Sequence, residues 1–298
     1  LGELTITNSN YNDENPSIND GGIYNTGGNN IINNSGTLIL NRIYISSSVN
    51  CEMINNKENS ELNIKESYFY NPETSSNSII FNLGAATIDA SYIRTYGKSI
   101  TNKGTINTSN SQIEGNYELT NDGVFVSEND EISGSITNSS TFTANNVTIP
   151  SLSAITNTGD FTLNKGTVSS FHNIKNTANM NMIGLTMTTS ATGSIIKNYG
   201  TDNPTLKISD SSITSDYQDT SGNDVYYTIQ ILSGRFILNN TNITRKSTYS
   251  SDSINDTRAS QFGLIESYDA ESIDITGGTF NFDFGSFLTI TNPNTTIT

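Results

Sequence analysis

Few side chains in this sequence combine the residue types and the spacing that catalysis requires. The chain has one histidine, His172, and one cysteine, Cys51, which has no evident histidine partner. A glycosidase needs two carboxylates at a defined separation, whereas the acidic residues here are spread through polar segments. The nucleophile-elbow, zinc-protease, P-loop and paired-cysteine patterns are missing from the sequence. We therefore expect a protein that is not an enzyme, with no catalytic residues and no cofactor.

Metal binding or carboxylate-based catalysis would require the acidic segments of the chain. Asn10–Asp20 could hold a divalent cation through oxygen ligands, but it lacks the fixed spacing of a known calcium loop, so we expect no metal site. Further along the chain, aspartates of two long polar segments could meet in space, namely Asp216, Asp219 or Asp224 with Asp252 or Asp256. A polysaccharide lyase or hydrolase is therefore the alternative interpretation.

The composition excludes several functional classes. Asn, Ser and Thr make up 124 of the 298 residues, while only 14% of the residues are charged. The net charge of −15 argues against nucleic-acid binding, because phosphate contacts need Lys and Arg. It also argues against binding to anionic lipid. No apolar stretch approaches the ~20 residues of a membrane span, so we expect no direct membrane insertion of this segment.

A short motif recurs along the chain, in the form apolar-x-Asn-x-Gly. It is followed each time by an alternating apolar run, which is typical of a strand, and then by a polar corner and another apolar residue. The spacing between successive motifs is 17 to 26 residues, and a further copy, ITNPN, begins at Ile290. The motifs begin at Ile32, Ile54, Ile80, Ile100, Leu119, Ile136, Ile155, Ile174 and Ile196.

A unit of ~20 residues made of short strands cannot bury its own apolar side, but stacked units can. The repeat therefore predicts an all-β fold, a right-handed parallel β-helix of about a dozen coils with three short strands per coil. We expect one solenoid over residues 1–298, forming a monomeric rod and belonging to a longer protein.

The repeated asparagine predicts a structural ladder, since amides stacked coil over coil can donate and accept hydrogen bonds along the stack. Asn also tolerates the left-handed backbone of a tight corner, and the Gly two residues later suits the same corner. Ligand contact is the alternative role for this position. The ladder residues are Asn34, Asn56, Asn82, Asn102, Asn121, Asn138, Asn157, Asn176 and Asn198.

Three insertions interrupt the repeat, near residues 10–20, 215–228 and 245–260. The last two fall at the same point of their coils, so both should leave the solenoid at one edge, one above the other. Insertions in repeat proteins often form the binding face, and exposed Tyr beside acidic residues suits sugar or protein recognition; tolerated surface loops are the alternative. The predicted ligand-binding residues are Tyr217, Tyr226, Tyr227, Tyr249, Asp252, Asp256 and Arg258, and Arg245 lies in the same segments.

Several short motifs resemble those of a known class of surface proteins. GGIYNTGG at Gly21 is similar to the GGAIYN-type repeat of polymorphic outer-membrane proteins, which are autotransporter passengers. FTAN at Phe142, FTLN at Phe161 and FILN at Phe236 match the accompanying FxxN tetrapeptide. The chain also resembles Asn-rich adhesin-like proteins of gut archaea and bacteria. This resemblance implies a secreted or cell-surface β-helix that adheres to cells or polymers.

The sequence thus predicts an extracellular adhesin segment, a β-helical stalk whose loops bind a host or environmental glycan or protein. The expected partner is a glycan or protein on a host or community cell surface. A purely structural surface spacer is a further alternative.

Overall fold

The computed structural model describes residues 2–8, 22–74, 76–171, 173–190, 195–217, 226–247, 262–282 and 285–298. Within these ranges every regular element is a β-strand. The Asn10–Asp20 insertion lies outside the described residues. The chain divides into two compact units, Leu1–Thr148 and Ile149–Thr298.

Unit 1 contains short strands that repeat in groups of three along the chain. In chain order they are β1 (Glu3–Thr7), β2 (Ile23–Asn25), β3 (Ile32–Asn34), β4 (Thr37–Asn41), β5 (Tyr44–Ser47), β6 (Ile54–Asn56), β7 (Glu61–Lys65), β8 (Tyr68–Asn71), β9 (Ser78–Asn82), β10 (Ala85–Asp89), β11 (Tyr92–Thr95), β12 (Lys98–Asn102), β13 (Thr105–Ser109), β14 (Gln112–Asn121), β15 (Val124–Glu128), β16 (Glu131–Asn138) and β17 (Thr141–Ile149).

Each strand of unit 1 pairs in parallel with the equivalent strand of the next coil, which produces three parallel sheets. Sheet A contains the repeated asparagines and runs through β3, β6, β9 and β12; sheet B runs through β1, β4, β7, β10, β13, β15 and β17; sheet C runs through β2, β5, β8 and β11. In the shortest coils the corner between sheets C and A disappears, and β14 and β16 each continue from one sheet into the other. Unit 1 is therefore a parallel β-helix.

The interior of unit 1 follows from the period-two alternation of its strands. Along sheet B, consecutive in-register pairs bring Leu38, Leu62, Ala86, Ile106, Phe125 and Phe142 into one buried column. The Phe125 and Phe142 rings stack with centroids 5.0 Å apart. The intervening residues of each strand point outward, so the outer faces of the sheets carry the polar residues.

Unit 2 repeats this arrangement. Its strands are β18 (Leu152–Asn157), β19 (Asp160–Ser169), β20 (Ile174–Asn176), β21 (Asn179–Thr189), β22 (Ile196–Asn198), β23 (Thr205–Ser209), β24 (Ser212–Tyr217), β25 (Tyr226–Ile231), β26 (Gly234–Asn239), β27 (Asn242–Ser247), β28 (Phe262–Ser267), β29 (Ala270–Thr276), β30 (Phe280–Phe282), β31 (Ser286–Ile290) and β32 (Thr296–Ile297). Its coils pair in parallel, as in β20 with β22 and β24 with β27. The predicted parallel β-helix with three strands per coil is thus confirmed.

The final ITNPN motif is not in the register of the repeat, contrary to the prediction. Leu288 pairs with Ile265, which continues the column of the motif isoleucines. Ile290 pairs with Ser267, in the row that Asn198 occupies three coils earlier. The local sequence match is therefore displaced by two residues, because strand register follows the buried column rather than the motif.

The left-handed corner residues also differ from the prediction. The ladder asparagines do not have positive φ; the positive φ values recur at the corner between sheets B and C. In unit 1 these corner residues are Arg42, Glu66, Ala90, Asn110, Asn129 and Asn146, with φ between 47° and 56°. The motif glycines are needed instead for close approach, since a Cβ on Gly104 would lie 2.0 Å from the Gly84 carbonyl oxygen.

Candidate functional site

A column of tyrosines lies on the outer face of sheet C in unit 1. Strands β5, β8 and β11 each begin with tyrosine, at Tyr44, Tyr68 and Tyr92, and these residues pair in register. The residue that follows each tyrosine is buried in the core, at Ile45, Phe69 and Ile93. Because side chains alternate along a strand, the tyrosines must point outward.

The rings of this column contact one another. Tyr44 and Tyr68 stack with centroids 5.4 Å apart and planes 6° from parallel. Tyr68 meets Tyr92 edge-to-face at 4.9 Å and Tyr70 at 6.4 Å. Stacked and edge-to-face pairs are the arrangements that aromatic quadrupoles favour, so neighbouring rings support each other in fixed positions.

Two charged groups border the column and engage its hydroxyls. The Nε atom of Arg94 lies 3.5 Å from Oε2 of Glu114. Burial raises the pKa of Tyr68, although its hydrogen bond with Arg94 opposes the shift. Burial, followed by a hydrogen bond to Glu114, raises the pKa of Tyr92. Both phenols therefore remain protonated at neutral pH and can donate hydrogen bonds.

Two further tyrosines on the same side are open to solvent. Tyr24 in β2 is 52% exposed, and Tyr96, which follows β11, is 42% exposed. We define the tyrosine face as Tyr24, Tyr44, Tyr68, Tyr70, Tyr92 and Tyr96 together with Arg94 and Glu114. Tyrosine and arginine are enriched at protein interfaces and among their energetically dominant residues.

The sequence contains a signal for this face that is independent of the insertions. Tyr44, Tyr68 and Tyr92 are spaced by 24 residues, and each directly precedes an apolar core residue. A tyrosine in that position of a coil is outward by alternation. Repetition at one position of successive coils would have indicated an aromatic column.

Of the predicted loop residues, some lie at the ends of strands and others lie outside the described residues. Tyr217 ends β24 and Tyr226 begins β25, and they pair with Ser247 and Phe262 of the following coil. The two insertions therefore leave and re-enter unit 2 at adjacent positions, as expected from their place in the repeat. The remaining predicted residues, Tyr249, Asp252, Asp256 and Arg258, lie outside the described residues.

Tyr227 and Arg245 were expected in exposed loops, but both are buried in strands. Tyr227 is 1% exposed and Arg245 is 5% exposed. The strands extend further than predicted, so alternation from Ile229 and Ile243 carries these two side chains inward. The Tyr227 hydroxyl donates to Oγ1 of Thr289 at 3.4 Å, and burial raises the pKa of Tyr227.

The buried Arg245 lies at the base of the second long insertion. Its Nη1 donates to the Gly263 carbonyl oxygen at 2.6 Å. Nearby, Gln230 Nε2 donates to Oε2 of the buried Glu266 at 2.6 Å. Asp216 is exposed on β24 and pairs with Lys246, while Asp219, Asp224, Asp252 and Asp256 lie outside the described ranges.

The predicted asparagine ladder is present in both units. In unit 1, Nδ2 of each asparagine donates to Oδ1 of the next at 2.7–2.8 Å, from Asn34 through Asn56, Asn82, Asn102 and Asn121 to Asn138. In unit 2 the same bonds join Asn157, Asn176 and Asn198. Most of these residues are fully buried, and Asn34 is 7% exposed. Their amides are occupied within the interior.

The remaining candidate groups from the sequence are the single cysteine and the single histidine. Cys51 is buried and contacts Asn25 Nδ2 at 3.3 Å and Ser47 Oγ at 3.2 Å. His172 lies outside the described residues. Among the described residues there is no cluster of three or more His, Cys, Asp or Glu suited to a metal ion. The same part of the chain contains no helix with the length and apolarity needed to span a membrane.

No protein-family model, curated protein or solved structure matches this chain.

Proposed function

We propose that the chain is an adhesive segment of a secreted or cell-surface protein, in which a β-helix presents the tyrosine face to a glycan or protein on another cell or polymer. The exposed tyrosine face is the observation that carries this proposal. Tyrosine offers a large amphipathic surface with a hydroxyl that can hydrogen-bond to a ligand.

The architecture of the face supports this role. Its rings are mounted on consecutive in-register strands, so that little side-chain freedom remains to be lost when a ligand binds. Tyr24 and Tyr96 are the members most accessible to a partner, at 52% and 42% exposure. The hydroxyls of Tyr68 and Tyr92 are oriented by Arg94 and Glu114. Binding by the insertions of unit 2 is compatible with this proposal and can be tested separately.

The test compares the 298-residue chain with a triple variant, Tyr24→Ser, Tyr70→Ser and Tyr96→Ser. Binding is measured on a glycan array, and also on cells with and without protease treatment. We expect the triple variant to lose most of the binding while its thermal unfolding remains cooperative. The outcome with protease-treated cells separates a protein receptor from a glycan.

Tyr268→Ser provides a matched control, because Tyr268 is 50% exposed but belongs to unit 2 and is not a member of the tyrosine face. A second variant with residues 218–225 and 248–261 replaced by short linkers tests the predicted loop site. Equal binding by the parent chain and the triple variant would contradict the role of the tyrosine face. Absence of binding to every glycan, cell and matrix protein tested would instead favour a spacer.

A further inference from the structure

A groove of about 390 Å³ runs along the outer face of sheet B in unit 1. Its lining comes from four consecutive coils, mostly through outward residues of β1, β4, β7 and β10, and includes Ile39 and the methyl-bearing Thr5 and Thr87. This volume lies within the ~300–1,000 Å³ of small-molecule sites. The groove is therefore large enough for a short ligand lying along the solenoid axis.

One residue that lines the groove has a polar atom without a hydrogen-bond partner. The Oδ1 atom of Asn41 is buried and has no donor among the described residues. Native structures rarely leave such an atom unpaired, and a bound water or ligand is a common explanation. Asn41 lines the groove but its Oδ1 atom is buried, so a rotation of the side chain toward the groove would let a ligand hydroxyl donate to this oxygen.

The charges of the groove balance. Asn41, Lys65 and Asp89 occupy the same row on consecutive strands. Lys65 also lies 3.6 Å from Glu66, and Asp89 Oδ1 accepts hydrogen bonds from Ser109 Oγ at 2.7 Å and Asn110 Nδ2 at 3.3 Å. One cation and one anion are each engaged by neighbours, so the lining does not select for a charged ligand.

The remaining polar groups are hydroxyls and amides. Thr5, Thr7, Thr87 and Asn63 contribute them from three of the four coils. Hydroxyls that both donate and accept, beside aliphatic carbons such as those of Ile39, complement a ligand with alternating hydroxyl and C–H surface. From the groove and its unpartnered acceptor we propose that this site binds a short neutral oligosaccharide, with Asn41 Oδ1 accepting a hydrogen bond from a sugar hydroxyl.

The groove is separate from the tyrosine face, although the two flank the same corner. In three coils the groove residues Asn41, Lys65 and Asp89 precede Tyr44, Tyr68 and Tyr92 by three positions. The oligosaccharide site does not depend on the adhesive role proposed above. Either one can fail while the other holds.

The test is isothermal titration calorimetry of the 298-residue chain with maltotriose, cellotriose, mannotriose and tri-N-acetylchitotriose, and with trigalacturonate as a charged comparison. We expect at least one neutral trisaccharide to bind more tightly than trigalacturonate. Asn41→Leu should weaken this binding about tenfold, the equivalent of one lost hydrogen bond. Asn41→Asp, which keeps an acceptor, should bind more tightly than Asn41→Leu.

Thr87→Phe fills the groove and should abolish binding. Thr143→Phe is the matched control, because Thr143 is an outward residue of the same sheet beyond the groove. The melting temperature of each variant shows whether it has folded. Absence of binding by every neutral trisaccharide, or unchanged binding by both Asn41→Leu and Thr87→Phe, would overturn the proposal. The triple tyrosine variant should bind the trisaccharide as the parent chain does.

Discussion

Asn102 Nδ2 donates to Oδ1 of Asn121 at 2.8 Å, one coil further along the β-helix. The same nitrogen also lies 2.9 Å from the Val124 carbonyl oxygen. In turn, Asn102 Oδ1 accepts from Asn82 Nδ2 at 2.8 Å and from the Gly104 backbone N–H at 3.2 Å. The Asn102 side chain thus connects three coils, and it also accepts a hydrogen bond from the backbone at the corner of its own coil.

Asn102→Ala should therefore lower the free energy of unfolding of the chain. The substitution removes the four hydrogen bonds described above, each worth about 0.5–1.5 kcal/mol, while Asn82 Nδ2 and Asn121 Oδ1 keep other hydrogen-bond partners. We expect a total loss of about 2–4 kcal/mol, measured by urea unfolding. Asn107→Ala, an exposed asparagine of the same coil, is the control. A loss no greater than that of Asn107→Ala would show that the ladder contributes little.

Much of the fold could be predicted from the sequence, because the repeat determines which residues stack. The spacing of the Ile-x-Asn motif indicated the coils, and the buried asparagines lie where that spacing requires. The positions of positive φ could not be inferred from residue type, since Arg42, Glu66 and Ala90 occupy them alongside Asn110. Backbone geometry at that corner is imposed by the stacked coils rather than by local preference.

The candidate site was less predictable. The insertions attracted attention because they break the repeat, whereas the tyrosine face is part of the repeat and its members look like ordinary strand residues. Tyr227 shows the opposite error, because a tyrosine in an apparent insertion belongs to a strand, β25, that is longer than its equivalent β22 in the preceding coil. Strand ends depend on pairing with the adjacent coil, and pairing is visible only in the folded chain.

Asp130 predicts a pH dependence of stability. It is 2% exposed and occupies the position where other coils have a serine that accepts a backbone N–H across this corner. Its Oδ1 accepts from Ser111 N at 2.7 Å. Its Oδ2 accepts from the hydroxyls of Ser127 and Thr108. Burial raises the pKa of Asp130, and these hydrogen bonds only partly oppose the shift. The folded state therefore binds the proton more tightly than the unfolded state, whose Asp pKa is about 3.9.

This contribution to stability is fully present below the unfolded pKa and is lost as pH rises through the higher folded pKa. Asp130→Asn removes it, so the free energy of unfolding of this variant relative to the parent chain should increase as pH rises from 3.5 to about 7. Urea unfolding at several pH values measures the difference. Glu128→Gln, an exposed acid of the same coil, should not show this increase; a constant difference for Asp130→Asn would contradict the prediction.

Ala90→Asn should stabilise unit 1. Ala90 has a φ of 47° at the corner where Asn110, Asn129 and Asn146 occupy the equivalent position. Asn adopts this left-handed conformation more readily than Ala, and Ala90 is exposed, so the larger side chain meets no core residue. We expect a gain of up to about 1 kcal/mol in the free energy of unfolding.

Ala85→Asn provides the comparison for this substitution. Ala85 is also exposed but lies in β10 without positive φ, where Asn is disfavoured. Differential scanning calorimetry should show a higher melting temperature for Ala90→Asn than for Ala85→Asn. The reverse order would mean that conformational strain at the corner does not limit stability.

Tyr44 and Tyr68 should be energetically coupled. Their rings are 5.4 Å apart and nearly parallel, and such pairs contribute about 0.5–1.5 kcal/mol beyond the burial of their area. Tyr44→Leu, Tyr68→Leu and the double variant form a cycle that isolates this energy, with Leu retaining much of the apolar surface. We expect the sum of the two single-variant losses to exceed the loss of the double variant by that amount in urea unfolding. Additivity within about 0.3 kcal/mol would mean that the rings are adjacent without stabilising each other, and the tyrosine face would then be less rigid than the stacked geometry implies.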